Sequence, residues 1–248
     1  MVAMEVRVEN EVFSIAPQYE RVVLHAVGRA TDTLSSDLAD RFDSAVRNSE
    51  ARFSTDEDVA SWAEIAPWRE AMQNCGWSAS KFRSSIEALT RRAARGQLSP
   101  LGVCAVDAGT IATLESGVPI GVHVLDNLGR ESLVLGPAFG NERFENFDGS
   151  TEAPDPGEIV YRAGRVCLTR RWVWRQGRVG SVVESSKTFA INIDLIDAAS
   201  VDVDAIVANT TGLFQACGLN VVATVRLSSE SPRGHLQVPP SDLDVLHD

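Results

Sequence analysis

A chain of 248 residues, 44% hydrophobic and 23% charged, carries enough apolar material for a sizeable core. Its 34 acidic residues against 23 basic ones give a formal net charge of -11, which excludes the indiscriminate nucleic-acid binding that a net basic field supports. No apolar run reaches the ~18 residues of a membrane span, and the opening MVAMEVRVENEVF alternates polar and apolar residues where a signal peptide would have an apolar block.

Along the chain, Val6, Val8 and Val12 in EVRVENEVFSI follow a nearly alternating pattern that predicts a strand, and RVVLHAVG (21–28) predicts a second. Leu38, Phe42 and Val46 recur at helical spacing between Ser35 and Phe53. Pro67 near the start and Gly76 past the end frame a helix around PWREAMQNCG. In SASKFRSSIEALTRR the stripe Phe82, Ile86, Leu89 and Ala93 predicts another helix, with Ser84 and Glu87 spaced as a capping box. A helix is expected from Asp107 to Ser116, closed by Gly117, and then a strand at VPIGVHV (118–124). The Gly-, Pro- and Asn-rich stretch 136–157 reads as a long loop or small insertion. EIVYRAGRVCL reads as a hairpin around Ala163-Gly164, RRWVWRQGRVGSVV and KTFAINIDL as further sheet, and 200–217 as a helix before a final strand at 220–227. Residues 1–228 therefore read as one α+β domain with a largely antiparallel sheet, flanking helices and a central pocket, and 229–248 as a disordered acidic tail. Cys75, Cys104, Cys167 and Cys217 lie far apart without a CxxC, the pattern of reduced thiols in a cytoplasmic protein with neither disulfide nor metal.

Two segments depart from the acidic background. Lys81, Arg83, Arg91, Arg92 and Arg95 cluster with only Glu87 against them, and no acidic residue stands between Ile159 and Val183, where Arg162, Arg165, Arg170, Arg171, Arg175 and Arg178 lie. As a strand, RRWVWR would place Trp172 and Trp174 on one face and Val173 on the other. Arginine beside aromatic rings suits RNA, because guanidinium pairs with phosphate and flat rings stack on unpaired bases. The same pattern also describes a half-buried strand whose arginines guard its edge.

PWREAM, KFRSSIEAL, VDAGT, SGVPIG, PGEIVY, RRWVWR and VESSKT follow one another, over roughly residues 60–200, in a way that resembles freestanding proteins similar to the B3/B4 editing domain of the phenylalanyl-tRNA synthetase β subunit. That resemblance implies a central pocket that hydrolyses the ester of a mischarged aminoacyl-tRNA, with no cofactor and no metal. The expected partner is the acceptor end of an aminoacylated tRNA, with neither DNA nor a membrane as partner. An aminoacyl ester is already activated, so the site need only position water and hydrogen-bond the developing oxyanion. The sequence departs from the family at Thr110 in place of Asn, at Gly121 in place of the pocket histidine, at Val124 in place of Asp, at Val173 between the tryptophans, and near Arg178 where the synthetase has a glutamate. Cys104 takes the usual proline position. These losses argue against tyrosine specificity, because a polar reader of the substrate hydroxyl is missing. Three readings follow: a deacylase for another aminoacyl group, a non-hydrolytic aminoacyl-tRNA binding or transfer protein, and a small-molecule domain that has lost RNA.

Carried onto this sequence, the catalytic positions are Asp107, Thr110 and Ser85. Asp107 would orient water or the ammonium group, or else cap its helix. Ser84, His123, Val173, Arg178 and Glu184 are the expected substrate contacts, with His123 equally readable as a core histidine. Lys81, Arg83, Arg91, Arg92, Arg170, Arg171, Trp172, Trp174 and Arg175 are the expected tRNA contacts, or else a solvated face.

Overall fold

The computed structural model describes residues 2–53, 58–126, 128 and 131–238. Its elements in chain order are β1 (Val2–Val8), α1 (Asn10–Ile15), β2 (Glu20–Gly28), α2 (Ser36–Phe53), α3 (Ala66–Asn74), α4 (Ser85–Ala93), α5 (Cys104–Ser116), β3 (Ile120–Val124), β4 (Leu133–Pro137), β5 (Phe144–Glu145), β6 (Thr151–Glu152), β7 (Ile159–Ala163), β8 (Val166–Arg170), β9 (Arg175–Gln176), β10 (Thr188–Leu195), α6 (Val203–Ala216), β11 (Leu219–Leu227) and β12 (Arg233–Val238). The α+β expectation holds. The first strand ends earlier than its alternation suggested, because Val12 and Phe13 are both buried, and a strand would send adjacent residues to opposite faces. The helix punctuation works as read. Ser35 Oγ accepts from the Leu38 amide at 3.3 Å, Pro67 sits in the first turn of α3, and Gly117 closes α5 in the left-handed region with φ 73°.

Two sheets form the frame. One has the order β12-β1-β4-β7-β8-β9, with β1 and β4 parallel and the other pairs antiparallel; the second, β11-β2-β10-β3, is antiparallel throughout. On β10 every residue is buried, yet the period of two still sorts the side chains. Phe189, Ile191, Ile193 and Leu195 join a core with Leu38 and Phe42 of α2, Ile111 of α5 and Phe214 of α6. Ala190 belongs to a second core with Val23, Met4, Leu135, Tyr161 and Trp172, between the two sheets. By the same alternation Asn192 and Asp194 face that inter-sheet space, and their burial there is what builds the site.

Two expectations are corrected. The tail is not wholly outside the fold: Arg233–Val238 is β12, paired antiparallel with β1 from Val2↔Val238 to Arg7↔Arg233, with Leu236 and Val238 buried. Residues 239–248 lie outside the described residues. Nor do all four cysteines stand alone. Cys104 and Cys217 form a disulfide with Cα atoms 5.8 Å apart, while Cys75 and Cys167 are free. The helical contact of α5 with α6 brings together two cysteines that are 113 residues apart in sequence, a juxtaposition no spacing rule reveals. Because the bond closes so long a loop, its reduction is expected to cost about 2–5 kcal/mol of stability. Urea unfolding of the oxidised protein against the reduced one, with Cys217→Ser as control, measures this. No helix among the described residues is long and apolar enough to cross a membrane.

Candidate ligand-binding site

The site begins with a chain of hydrogen bonds whose direction is fixed at one end. Arg21, fully buried at the start of β2, donates from Nε and Nη2 to Asn192 Oδ1 at 3.1 and 2.6 Å. Guanidinium has no acceptor, so the Asn192 amide must turn its Nδ2 outward, and it donates to His123 Nδ1 at 3.2 Å. The imidazole proton therefore sits on Nε2, which donates to Thr169 Oγ1 at 2.8 Å. Thr169 is left with its own O–H to give. Burial, reinforced by the charge of Arg21, pushes the His123 pKa down to about 3, so the ring is neutral. Its Nδ1 lone pair is already taken, and it is no general base.

Next to this relay lies Asp194. Tyr19 and Tyr161 both donate to its Oδ1, the latter at 2.5 Å. Burial raises the Asp194 pKa against the pull of these hydroxyls and of Arg21. The Trp172 indole lies beside the carboxylate, but its N–H lacks the geometry of a hydrogen bond.

The segment RRWVWR, expected as a strand, is instead a turn. Arg171 and Trp172 take φ of 46° and 63°, a conformation that costs on the order of 1–3 kcal/mol for each such residue. What holds it is Glu158, 2% exposed, whose Oε1 accepts from Arg170 Nε at 2.8 Å and from the Arg171 amide at 3.1 Å, while Oε2 takes Arg170 Nη2 at 2.6 Å. The turn drives Trp172 into the core, edge-on to Tyr19 and Trp68 at 5.1 and 5.4 Å. Trp174 stays half-buried, edge-on to Phe82 at 4.8 Å with Arg175 4.4 Å over its ring. The two indoles do not share a face, and Trp172 is closed to any partner.

Around these groups is an inner chamber of about 140 Å³, lined by Ser85, His123, Tyr161, Thr169, Asp194 and the Trp172–Trp174 turn among others. It adjoins an outer groove of about 450 Å³ lined by Leu89, Leu101, Val106, Thr110, Phe147 and Val182. Ile120, Gly121, Trp174, Arg175 and Gln176 line both spaces, so the two adjoin across these residues. A Cβ at Gly121 would meet nothing within 4 Å, so the missing side chain leaves open space where the two adjoin.

Of the residues expected at a site, Ser85, His123, Val173, Trp174 and Arg175 do converge on the chamber, and Thr110 on the groove, its hydroxyl donating to the Val106 carbonyl. Asp107 is elsewhere. It is 1% exposed, and its two oxygens accept the amides of Leu101 and Gly102 at 2.7 and 3.0 Å, which pins the groove's rim. Ser84 caps α4, accepting from the Glu87 amide at 3.4 Å. Only that half of the capping box forms, because the Glu87 side chain turns inward to the arginines. Arg178 is exposed and paired with Glu145, and Glu184 lines a separate concavity with Ala30, Thr31 and Asp32.

The basic runs are not free. Glu87, with no exposure, receives Arg69 at 2.8 Å, Arg91 at 2.9 Å and Arg83 at 3.7 Å, and Arg91 also meets Asp58. Arg170 pairs with Glu158 and Glu152, Arg171 with Asp155 and Glu158, and Arg175 with Glu152. Lys81, Arg92 and Arg95 carry no ion pair among the described residues and are exposed. Acids up to 153 positions away, as Glu9 is from Arg162, are invisible to a local count of charge and take up most of the charge of both segments.

A family model of the B3/4 domain matches residues 67–210, more than half of the chain. The chain belongs to the B3/4 domain family. No curated protein matches the sequence. The B3/4 match runs from α3 into α6 and so takes in Ser85, His123, Thr169, the turn and Asp194; Tyr19 and Arg21, which set the polarity of the B3/4 chamber, come from outside it. Sequence reasoning missed Arg21, Tyr161, Thr169, Gln176, Asn192 and Asp194. The signal was in TFAINIDL, where Asn and Asp alternate with large apolar residues in what turns out to be a central strand.

Proposed function

We propose that this B3/4 protein is an aminoacyl-ester deacylase that takes the charged end of a tRNA, with the aminoacyl group in the inner chamber and the terminal nucleotide in the outer groove. The observation that carries this reading is a small chamber, with His123, Thr169 and Asp194 among its walls, set against a larger groove across the shared residues Gly121, Trp174 and Gln176. The chamber's volume is close to that of a cavity known to hold one benzene, ~150 Å³. The groove falls in the range of small-molecule sites, about 300–1,000 Å³. Phe147 and Leu101, each 68% exposed, offer the groove an apolar rim suited to stacking a base. With His123 neutral and its lone pair occupied, hydrolysis rests on positioning a water and on the hydroxyls of Thr169 and Ser85 as donors to the oxyanion.

Because most of the basic residues are already paired, the grip on RNA is expected to be at its end, with phosphate contacts left to Lys81, Arg92 and Arg95. The slope of log affinity against log salt should then be no steeper than about -2, from ~0.7 per phosphate on a single strand. Arg170→Ala/Arg171→Ala should leave that slope unchanged while lowering the melting temperature.

The test is deacylation of a panel of tRNAs, each charged with a different amino acid, by the wild type, Thr169→Val and Ser85→Ala. Selective hydrolysis weakened in the variants is expected; no hydrolysis above background on any member would overturn the reading. The acid-paired arginines favour a second reading, a small-molecule domain without RNA, which is supported if free ligands bind and charged tRNA does not.

A further inference from the structure

The inner chamber holds a carboxylate with an open valence. Both tyrosine hydroxyls end on Asp194 Oδ1, and among the described residues no side chain or amide donates to Oδ2. Asp194 nonetheless lines the chamber, and its Oδ2 is not sealed in protein. Arg21 stands directly across from it in the strand register but forms no ion pair with it. Its N–H groups go to Asn192 Oδ1 and to the Arg7 carbonyl. The carboxylate is thus buried, doubly anchored on one oxygen, and without a cation in contact on the other.

We infer that Asp194 Oδ2 binds a primary ammonium group of the ligand, while the Thr169 hydroxyl donates to the ligand's carbonyl. Three features favour an ammonium over a neutral donor. A buried carboxylate that gains only a hydroxyl stays uncompensated in charge, whereas a cation supplies both the hydrogen bond and the balancing charge. The walls include the aromatic residues Trp174 and Tyr161, and aromatic rings attract cations in a desolvated space. And the relay from Arg21 through Asn192 and His123 fixes Thr169 as a donor, so one side of the chamber accepts and another donates. A molecule carrying an ammonium next to a carbonyl, as an α-amino ester or amide does, meets both. This rests on the deacylase reading only for the source of the ammonium; a free amine presents the same chemistry.

Asp194→Asn tests the atom itself, because asparagine keeps Oδ1 as the acceptor for the two tyrosines and turns the other position from acceptor to donor. Binding is measured by calorimetry on the full chain, using methyl esters of small and aromatic α-amino acids, their N-acetyl derivatives, the free amino acids and simple alkylamines. The expected result is that free-amino esters bind at least tenfold more tightly than their N-acetyl forms, and that Asp194→Asn erases the difference. Thr169→Val should weaken both forms alike. Equal binding of free-amino and N-acetyl esters by the wild type overturns the inference, and so does a folded Asp194→Asn that keeps the preference. If Asp194→Asn does not fold, the wild-type comparison decides alone. Alkylamines that bind as well as esters support the ammonium site and assign it to a free amine. Amine preference without tRNA deacylation sinks the deacylase and leaves this site standing; deacylation indifferent to N-acetylation does the reverse.

Discussion

Glu158→Gln is expected to destabilise the fold by about 3–5 kcal/mol, the cost of leaving a buried charge without its partner. Glu158 is the single buried carboxylate that accepts from both the Arg170 guanidinium and the Arg171 amide. Glutamine would keep one acceptor and turn an N–H₂ toward the guanidinium. Arg170, 4% exposed, would retain only the half-exposed Glu152, and the left-handed backbone at Arg171 and Trp172 would lose its anchor. Since that turn places Val173 and Trp174 in the chamber wall, ligand binding should fall beyond the loss of stability. Urea unfolding measures the first effect and calorimetry at low temperature, where the variant is folded, the second. A control sharpens it. Replacing both partners, Glu158→Met with Arg170→Met, should cost less than either single change, because no charge is then stranded. An unchanged urea midpoint for Glu158→Gln would refute the anchoring role.

Acid is expected to loosen the protein through its buried histidines well before most carboxylates titrate. His123 has its pKa lowered to about 3 by burial and then by Arg21, and His25 is lowered by burial, with neither ring nitrogen hydrogen-bonded. A folded-state pKa below the unfolded value of ~6.5 means that the unfolded chain takes the proton first. The stability linked to each histidine is therefore complete above pH 6.5. It falls by about 1.4 kcal/mol per pH unit below that value, for His123 down to about pH 3. Asp194 works in the opposite sense: its raised pKa favours the folded state as pH falls toward the ordinary carboxylate range. Unfolding free energies between pH 6.5 and 4.5 for the wild type and His123→Gln separate these contributions. The variant should lose one proton's worth of slope; parallel lines would show that His123 is not buried in its neutral form.

The elements were largely legible because their signals are local. Ser84 caps where its position before an apolar stripe said it would, the helix read from Ser35 begins there, Gly117 closes its helix, and the hairpin turns at Gly164. Motif order, too, is a one-dimensional property, and it pointed to the family that the B3/4 model matches. The turn at Arg171–Trp174 was misread because RRWVWR has strand composition, and the force that bends it is a carboxylate 12 and 13 residues earlier. The pairing of the two basic runs was hidden for the same reason. Charge clusters in sequence, but neutralisation happens in space, and Glu87 gathers Arg69, Arg83 and Arg91 from two helices and the loop between them.

By itself, then, the sequence determined the α+β class, most element boundaries, the family, and six of the chamber's wall residues in Ser85, His123, Trp172, Val173, Trp174 and Arg175. Only the tertiary structure decided which polar groups are the chemistry of the site. Asp107, in the matching motif, is spent on two backbone amides, whereas Asp194, in a strand read only as further sheet, lines the chamber. The physical reason is that an ionisable side chain acquires its role from burial and from partners far away in sequence, here Tyr19, Tyr161 and Arg21, and those are fixed when the two sheets close on each other.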